Sequence, residues 1–302
     1  MNSINSISEF HRLVSLPEPM HPLVSVVRVA DMRFTNSKLW EHFSLNFFCV
    51  SLKRDVTGKV KYGQQYYDYD KGLMTFIAPR QVQTLDVPHA EILGPESGTG
   101  YALLFHPDFL YKHPLSAAIK NYGFFTYAVN EALHLSEREE KNIVEIFEKI
   151  DAECQYIDKH TQDIILSQID LLLNYSNRFY ERQFFTRKAI NHDVLTRMEA
   201  LLNEHFDEKN LENKLPTVEL LAERLHLSPH YLSDLLRSLT GKSAQQHIQE
   251  KLIEKAKEYL SVTNLSVAEI AYQLGFEYPQ SFNKLFKKKM NVSPLEFRQT
   301  FN

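Results

Sequence analysis

The chain has 302 residues, 43% of them apolar and 24% charged, and a formal net charge of −4. That length suits about two soluble domains, and no uncharged apolar run approaches the roughly 20 residues of a membrane helix. Two cysteines, Cys49 and Cys154, are too few and too far apart for a disulfide framework or a clustered metal site.

With nine glycines, neither GxGxxG nor GxxxxGK(S/T) occurs, so nothing points to a nucleotide-dependent enzyme. The amino terminus, Met1-Asn2-Ser3-Ile4-Asn5-Ser6, lacks the basic region and long apolar stretch of a secretory signal. A reducing cytoplasm is the expected location. Charge is unevenly spread: from Tyr231 onward ten Lys and Arg face seven Asp and Glu, leaving that segment at +3 and the remainder at −7. So modest an imbalance also fits an ordinary solvated surface.

Residues 1–135 read as β-rich. Val24 to Val29, Leu45 to Leu52, Val60 to Tyr69, Leu73 to Ala78 and Tyr101 to Phe105 are runs of Val, Phe, Tyr and Ile. Alternation places Leu45, Phe47 and Cys49 on one side of a strand and Phe48, Val50 and Leu52 on the other. Asp70-Lys71-Gly72 and Gly98-Thr99-Gly100 supply turn chemistry. Short strands at such spacing predict an antiparallel barrel or sandwich. At Ser136 the period changes. Ser136 and Glu139 have capping-box spacing, and Ile143, Phe147 and Ile150 then share a helical face. Ile165, Ile169, Leu172 and Leu173 repeat the pattern. Residues 136–182 therefore predict two amphipathic helices that either pack back on the sheet or form a self-association surface. Residues 183–191, mostly polar and basic, read as a linker before a helical domain at 192–302.

Within that domain the sequence repeats. Leu221-Ala222 and Leu225 match Ile270-Ala271 and Leu274 at an offset of 49. One residue is then gained, so that Leu232, Leu236 and Ser243 match Phe282, Phe286 and Ser293 at an offset of 50. Each copy predicts a short helix, a turn and a second helix, with Thr217, Ser266 and Ser293 as N-caps. Pro294 stands at a first helical position, and Gly275 where the second turn needs a permissive backbone. Ile248, Leu252, Ala256 and Leu260 form a stripe along one connecting helix. Two helix-turn-helix units held by one helix can place their second helices in successive major grooves, about 34 Å apart.

The stretch from Val218 to Arg298 resembles the AraC/XylS-type transcriptional regulators. The second copy carries the most specific part: Ile270-Ala271-Tyr272-Gln273-Leu274-Gly275-Phe276, Ser281-Phe282-Asn283-Lys284-Leu285-Phe286-Lys287 and Ser293-Pro294-Leu295-Glu296-Phe297-Arg298. Asn291 departs from the family's usual glycine, and asparagine tolerates positive φ better than most residues. The resemblance implies an α+β protein: a cupin-like sensor domain followed by the all-α double helix-turn-helix domain, acting as a dimer on double-stranded DNA. It also implies an unknown small-molecule effector, no cofactor, no membrane, and RNA polymerase as a partner if the protein activates.

Family positions that reach base edges match His230, Ser233 and Asp234, and Arg237 matches a phosphate-contacting one. Asp234 can accept from a cytosine amine or simply pair with Arg237 at i+3. In the second copy Pro279, Gln280, Asn283 and Lys284 project while Phe282, Leu285 and Phe286 face the core. Gln280 and Asn283 suit an adenine edge, and Lys284 can donate to guanine. Lys287, Lys288 and Lys289 form a basic run, of which Lys287 and Lys288 are assigned to phosphates.

An enzymatic reading finds little support. His42, His89, His106 and His113 are the main N-terminal candidates for metal ligation, with His11, His21 and His134 behind them. No HxH pair occurs, His89-Ala90-Glu91 has no second histidine nearby, and no GxSxG is present. Arg28, Tyr62, Tyr66, Tyr67, Tyr69 and Arg80 either line the mouth of a polar-aromatic effector pocket or belong to a partly exposed sheet face. Of these, Arg28, Tyr62, Tyr67 and Arg80 are the effector-site candidates.

Overall fold

The computed structural model describes residues 2–34, 37–54, 60–62, 65–67, 72–83, 99–127, 131–186, 188–207 and 214–300. Asp70, Lys71, Gly98, His89 and residues 209–213 of the charged stretch expected to break the helices at 209–216 lie outside them, as do Tyr69 and the side chains of Tyr62, Tyr66 and Tyr67. The chain divides into two compact units, Met1–Gln183 and Phe184–Asn302.

In the first unit the order is β1 (Asn2–Ile4), α1 (Ile7–Leu13), β2 (Val24–Arg28), α2 (Ser37–Trp40), β3 (Phe43–Leu45), β4 (Phe48–Arg54), β5 (Val60–Tyr62), β6 (Gln65–Tyr67), β7 (Leu73–Ile77), β8 (Val82–Gln83), β9 (Thr99–Phe105), α3 (Leu115–Ala118), β10 (Leu133–His134), α4 (Glu137–Cys154) and α5 (Thr161–Thr186). A five-stranded antiparallel sheet runs β10-β7-β4-β9-β2, a three-stranded one β1-β3-β8, and β5-β6 is a hairpin.

Three strand expectations are refined. The run 45–52 is split: Asn46 makes the last bond to the small sheet, its amide donating to the Ile4 carbonyl at 2.9 Å, and from Phe48 β4 joins the large sheet. The run 60–69 folds back on itself, pairing Val60 with Tyr67. One pair, β1 with β3, is parallel. The long connection through α1 and β2 permits that direction, whereas a tight turn does not.

β4 is central, paired with β7 on one side and with β9 along its whole length on the other. Gly100 lies inside β9 and not in a turn: at φ +141° its α-carbon approaches the Leu52 carbonyl so closely that a Cβ would collide with it. Both faces of the sheet are covered. Cys49, Ala102, Leu104 and Val27 join the cluster of Ile7, Phe10 and Trp40. Trp40 meets Phe34 and Phe43 edge-on at 4.9 and 5.0 Å. On the opposite face α4 packs against β2 and β9, and Tyr101 stacks on Phe147 at 5.6 Å.

The α4 stripe Ile143, Phe147 and Ile150 is thus spent inside this unit, each residue being fully buried. Glu139 closes the capping box on Ser136. Buried Glu140 pairs with Arg54 at the end of β4. Burial pushes the Cys49 thiol up to about 12, so this sulfur is an inert packing group.

The expected linker at 183–191 is helical through Thr186 and again from Lys188. Polar composition concealed a stripe: Phe179, Tyr180, Gln183 and Phe184 are all buried, and the α5 spacing carries on through them.

The second unit contains α6 (Lys188–Asp207), α7 (Val218–Leu225), α8 (Pro229–Thr240), α9 (Ala244–Val262), α10 (Val267–Gln273), α11 (Pro279–Met290) and α12 (Pro294–Gln299). One apolar cluster takes Leu221, Leu232 and Leu236 from the first copy, Ile270, Phe282 and Phe286 from the second, and Ile248, Leu252, Ala256 and Leu260 from α9. Leu285 is half-buried against that cluster.

The turns repeat down to backbone angles. The residue ending α7 is His226 at φ 57°, and its counterpart after α10 is Gly275 at φ 89°. Gly241 at 76° closes α8 as Asn291 at 61° closes α11. A Cβ on Gly275 would lie 2.5 Å from the Lys214 carbonyl carbon. Gly275→Ala is therefore expected to cost at least about 2 kcal/mol, summing left-handed strain and a backbone clash. His226→Gly at the matching turn relieves strain and leaves stability equal or higher by up to about 1 kcal/mol. Urea unfolding followed by circular dichroism measures both, and equal losses in the two variants would refute the equivalence of the turns.

Candidate nucleic-acid interface

Each second helix of the duplicated pair is amphipathic and locally encoded. In α8, Ser228 caps the first turn by accepting from the Tyr231 amide at 3.3 Å, with Pro229 in the first helical position. Its inner face buries Tyr231, Leu232, Leu235 and Leu236. Tyr231 meets Phe184 edge-on at 5.1 Å. His230 and Arg237 are exposed, and Ser233 and Asp234 are half-buried. Arg237 donates to Asp234 Oδ1 at 2.6 Å, so the i+3 pairing is formed.

In α11, Phe282 and Phe286 point inward while Gln280, Asn283, Lys284, Lys287 and Lys288 are exposed and Pro279 is half-buried. Gln280, Asn283, Lys284 and Lys287 follow i, i+3, i+4, i+7 and so make one outward stripe. No salt bridge reaches Lys284, Lys287 or Lys288 among the described residues. Asn283, Lys284 and Lys287 also line an open cleft of about 420 Å³, closed on the other side by Val267, Ser293, Pro294 and Leu295.

Sequence reasoning passed over Tyr278 and Leu295, which are 59% and 57% exposed on this surface. A signal existed for the tyrosine. By the offset of 50 it replaces the N-cap Ser228, and no side chain caps α11. An exposed aromatic has displaced a cap worth about 1 kcal/mol.

The framework beneath is held by caps. Thr217 accepts from the Leu220 amide, and Ser266–Glu269 and Ser293–Glu296 form complete boxes. A further pairing, Gln246 accepting from the Ser243 amide at 2.8 Å, opens α9. Arg298 ties α12 back to the Leu260 carbonyl at 3.3 Å.

The N-terminal candidates are dispersed. Arg28 is exposed on the sheet face covered by α4, where its charge acts on Asp151 and Tyr101. Arg80 is exposed at a positive-φ turn after β7, with its amide on the Leu45 carbonyl. Histidines serve local structure: His11 bridges the Pro17 carbonyl and Ser25 Oγ. His106 and His113 each accept a backbone amide two residues on.

Hydrogen bonds from Ser266 hold the Glu269 carboxyl below its ordinary value, and those from Ser293 do the same for Glu296. A carboxyl so lowered contributes stability at pH above its ordinary value, and the contribution is lost as pH falls through the lowered one. Glutamine keeps the capping geometry without titrating. A Glu269→Gln, Glu296→Gln double variant should therefore lose melting temperature less steeply than the parent between about pH 5 and 3. Parallel slopes in calorimetry would contradict the capping role.

Residues 221–300 match the family model described as "Helix-turn-helix domain". The bifunctional transcriptional activator/DNA repair enzyme AdaA of Bacillus subtilis is 36% identical over 99 residues, covering 33% of this chain and 46% of AdaA. The transcriptional activator RhaS of Salmonella schwarzengrund is 32% identical over 139 residues, covering 46% of this chain and 45% of RhaS. This chain thus spans under half the length of these curated relatives. Among solved structures, the C-terminal domain of the response regulator AraT of Geobacillus stearothermophilus is 33% identical, covering 35% of this chain and 84% of that one, with a TM-score of 0.32. With the paired helix-turn-helix units, their common core and these relatives in place, the carboxy-terminal part of the chain is an AraC-type helix-turn-helix domain.

Proposed function

We propose that the protein is a sequence-specific, DNA-binding transcription regulator of the AraC/XylS type and not an enzyme. The observation that carries this is the duplication: two capped helix-turn-helix units on one core, the second exposing Gln280, Asn283, Lys284, Lys287 and Lys288 along one helix. Amides at 280 and 283 can read adenine edges and Lys284 a guanine, while Lys287 and Lys288 neutralise phosphates. On α8, His230, Ser233 and Asp234 take the base-reading positions and Arg237 the phosphate side.

A small-molecule effector held by the N-terminal unit, assembly as a homodimer and a cytoplasmic address complete the proposal by resemblance. RNA polymerase is a partner if the outcome is activation. Exposed Ile164 and Leu171, two turns apart on α5, offer apolar surface that a second copy would cover. No helix among the described residues is long and apolar enough to cross a membrane.

Selection of bound duplexes from a randomised library by the full chain tests the central reading. Lys287→Ala is expected to weaken selected and scrambled duplexes alike and to flatten the salt dependence by about one ion. Gln280→Ala should instead cost about 1–3 kcal/mol on the selected site only. Equal losses on both duplexes for both variants would end this division of roles, and a folded chain preferring no duplex would end the reading. Light scattering of the full chain checks the dimer: a strict monomer at high concentration removes it.

A further inference from the structure

The two copies, so alike in core and caps, reverse charge at one matching surface position. The offset of 50 that pairs Leu232 with Phe282 also pairs Asp234 with Lys284 and Arg237 with Lys287. Over their twelve residues, α8 carries one acid and one base, whereas α11 carries four lysines and no acid. In α8 the two charges cancel locally, since Asp234 and Arg237 are in contact at 2.6 Å, and the arginine side chain is otherwise 57% exposed. In α11 the equivalent pair is two lysines one turn apart.

We propose that Asp234 is a specificity-determining gate: α11 supplies the larger share of the affinity together with its own base contacts, and α8 adds discrimination by penalising wrong bases. This rests on the DNA-binding reading above. A half-exposed carboxylate beside a duplex meets the repulsion of the phosphates and of acceptor edges, the O6 and N7 of guanine and the O4 of thymine. Only an amino donor, cytosine N4 or adenine N6, relieves it. By pairing with the guanidinium of Arg237, Asp234 also weakens the phosphate contact assigned to that arginine. The second effect lowers affinity for every sequence, while the first lowers it where guanine or thymine stands at that position and spares cytosine or adenine. That is selection by penalty on the wrong partner.

The test uses the full chain and two probes, a 30-base-pair duplex of scrambled sequence and a randomised duplex library. Asp234→Asn is expected to bind the scrambled duplex several-fold more tightly and to steepen the log–log salt slope by about one. In library selection it should lose the preference for cytosine or adenine at one position of one half-site. Adding Arg237→Gln to Asp234→Asn should return the slope to the parental value, because the released cation is gone. Asp234→Lys, which copies Lys284, should exceed Asp234→Asn in affinity for scrambled DNA. An Asp234→Asn protein with unchanged slope and unchanged base preference overturns the gate, and a change confined to melting temperature does the same by showing that the ion pair serves the helix alone. A parent chain that binds neither probe overturns the DNA-binding reading itself, an outcome distinct from a parent that binds while its variants do not differ.

Discussion

Helix α9 buries Ile248, Leu252, Ala256 and Leu260 in the same apolar body that receives Leu232 and Leu236 from one copy and Phe282 and Phe286 from the other. Interiors of this kind are close-packed, so a change of one methylene on either side is felt throughout. Neither unit can turn on its own without opening a void against α9. Nineteen residues of helix at about 1.5 Å each span roughly 28 Å, close to one repeat of a DNA duplex. What sets the relation of α8 to α11 is therefore core packing, and the loops only have to stay out of its way.

The copies reach that common packing by different means. In the first, leucines at 232 and 236 leave room that Met198 and Leu202 of α6 help to fill, and α6 lies against α7, α8 and α9. In the second the equivalent positions are phenylalanines. They continue into a run of ring contacts, Phe276 to Phe282 at 5.5 Å, Phe282 to Phe286 at 5.8 Å and Phe286 to Phe297 at 5.6 Å. Ring pairs in such tilted or edge-on arrangements add about 0.5–1.5 kcal/mol beyond their buried area. The neighbouring helix here is α12, which Phe286 reaches through Phe297. The backbone stays constant while the filling varies, and the left-handed residues at 226 and 275, and at 241 and 291, mark where the chain must turn in both.

Much of the helical half was legible because its signals are local. A serine and a glutamate three residues apart satisfy each other's amides whatever the rest of the chain does, and Ser136, Ser266 and Ser293 all do so. Strands are different, because their partners are remote. Nothing near Asn46 announces that the chain changes sheets there; its last small-sheet partner is the Ile4 carbonyl, forty-two residues back, and the next partner is Phe105 on β9. Gly100 reads as a turn residue beside Gly98, yet its meaning is steric and lies in Leu52 across the ladder. The break at 183–191 was misread for a third reason. Polar and basic composition there gives no sign that Gln183 and Phe184 are buried on a helix that runs through Thr186. In the N-terminal unit, residue type alone grouped Arg28 with Arg80, but strand register sends Arg28 toward α4.

Net charge is a poor guide to such a molecule. At physiological ionic strength fields between exposed charges fade over about 8 Å, so a chain at −4 can carry a helix at +4 that acts as a cation on whatever touches it. Part of that helix's charge has a purely structural reason. Lys287, Lys288 and Lys289 occupy the last turn of α11, where the helix dipole favours cations. Lys284 has no such reason. It stands in mid-helix, exposed, without a salt bridge among the described residues, and one turn from another lysine. Spacing of that kind is unfavourable to an isolated helix. Helix stability would prefer at this position what α8 has, an acid that pairs with the base three residues on. A stability rule explains Asp234 and Arg237 and runs against Lys284 and Lys287, so helix stability alone does not account for the second pair.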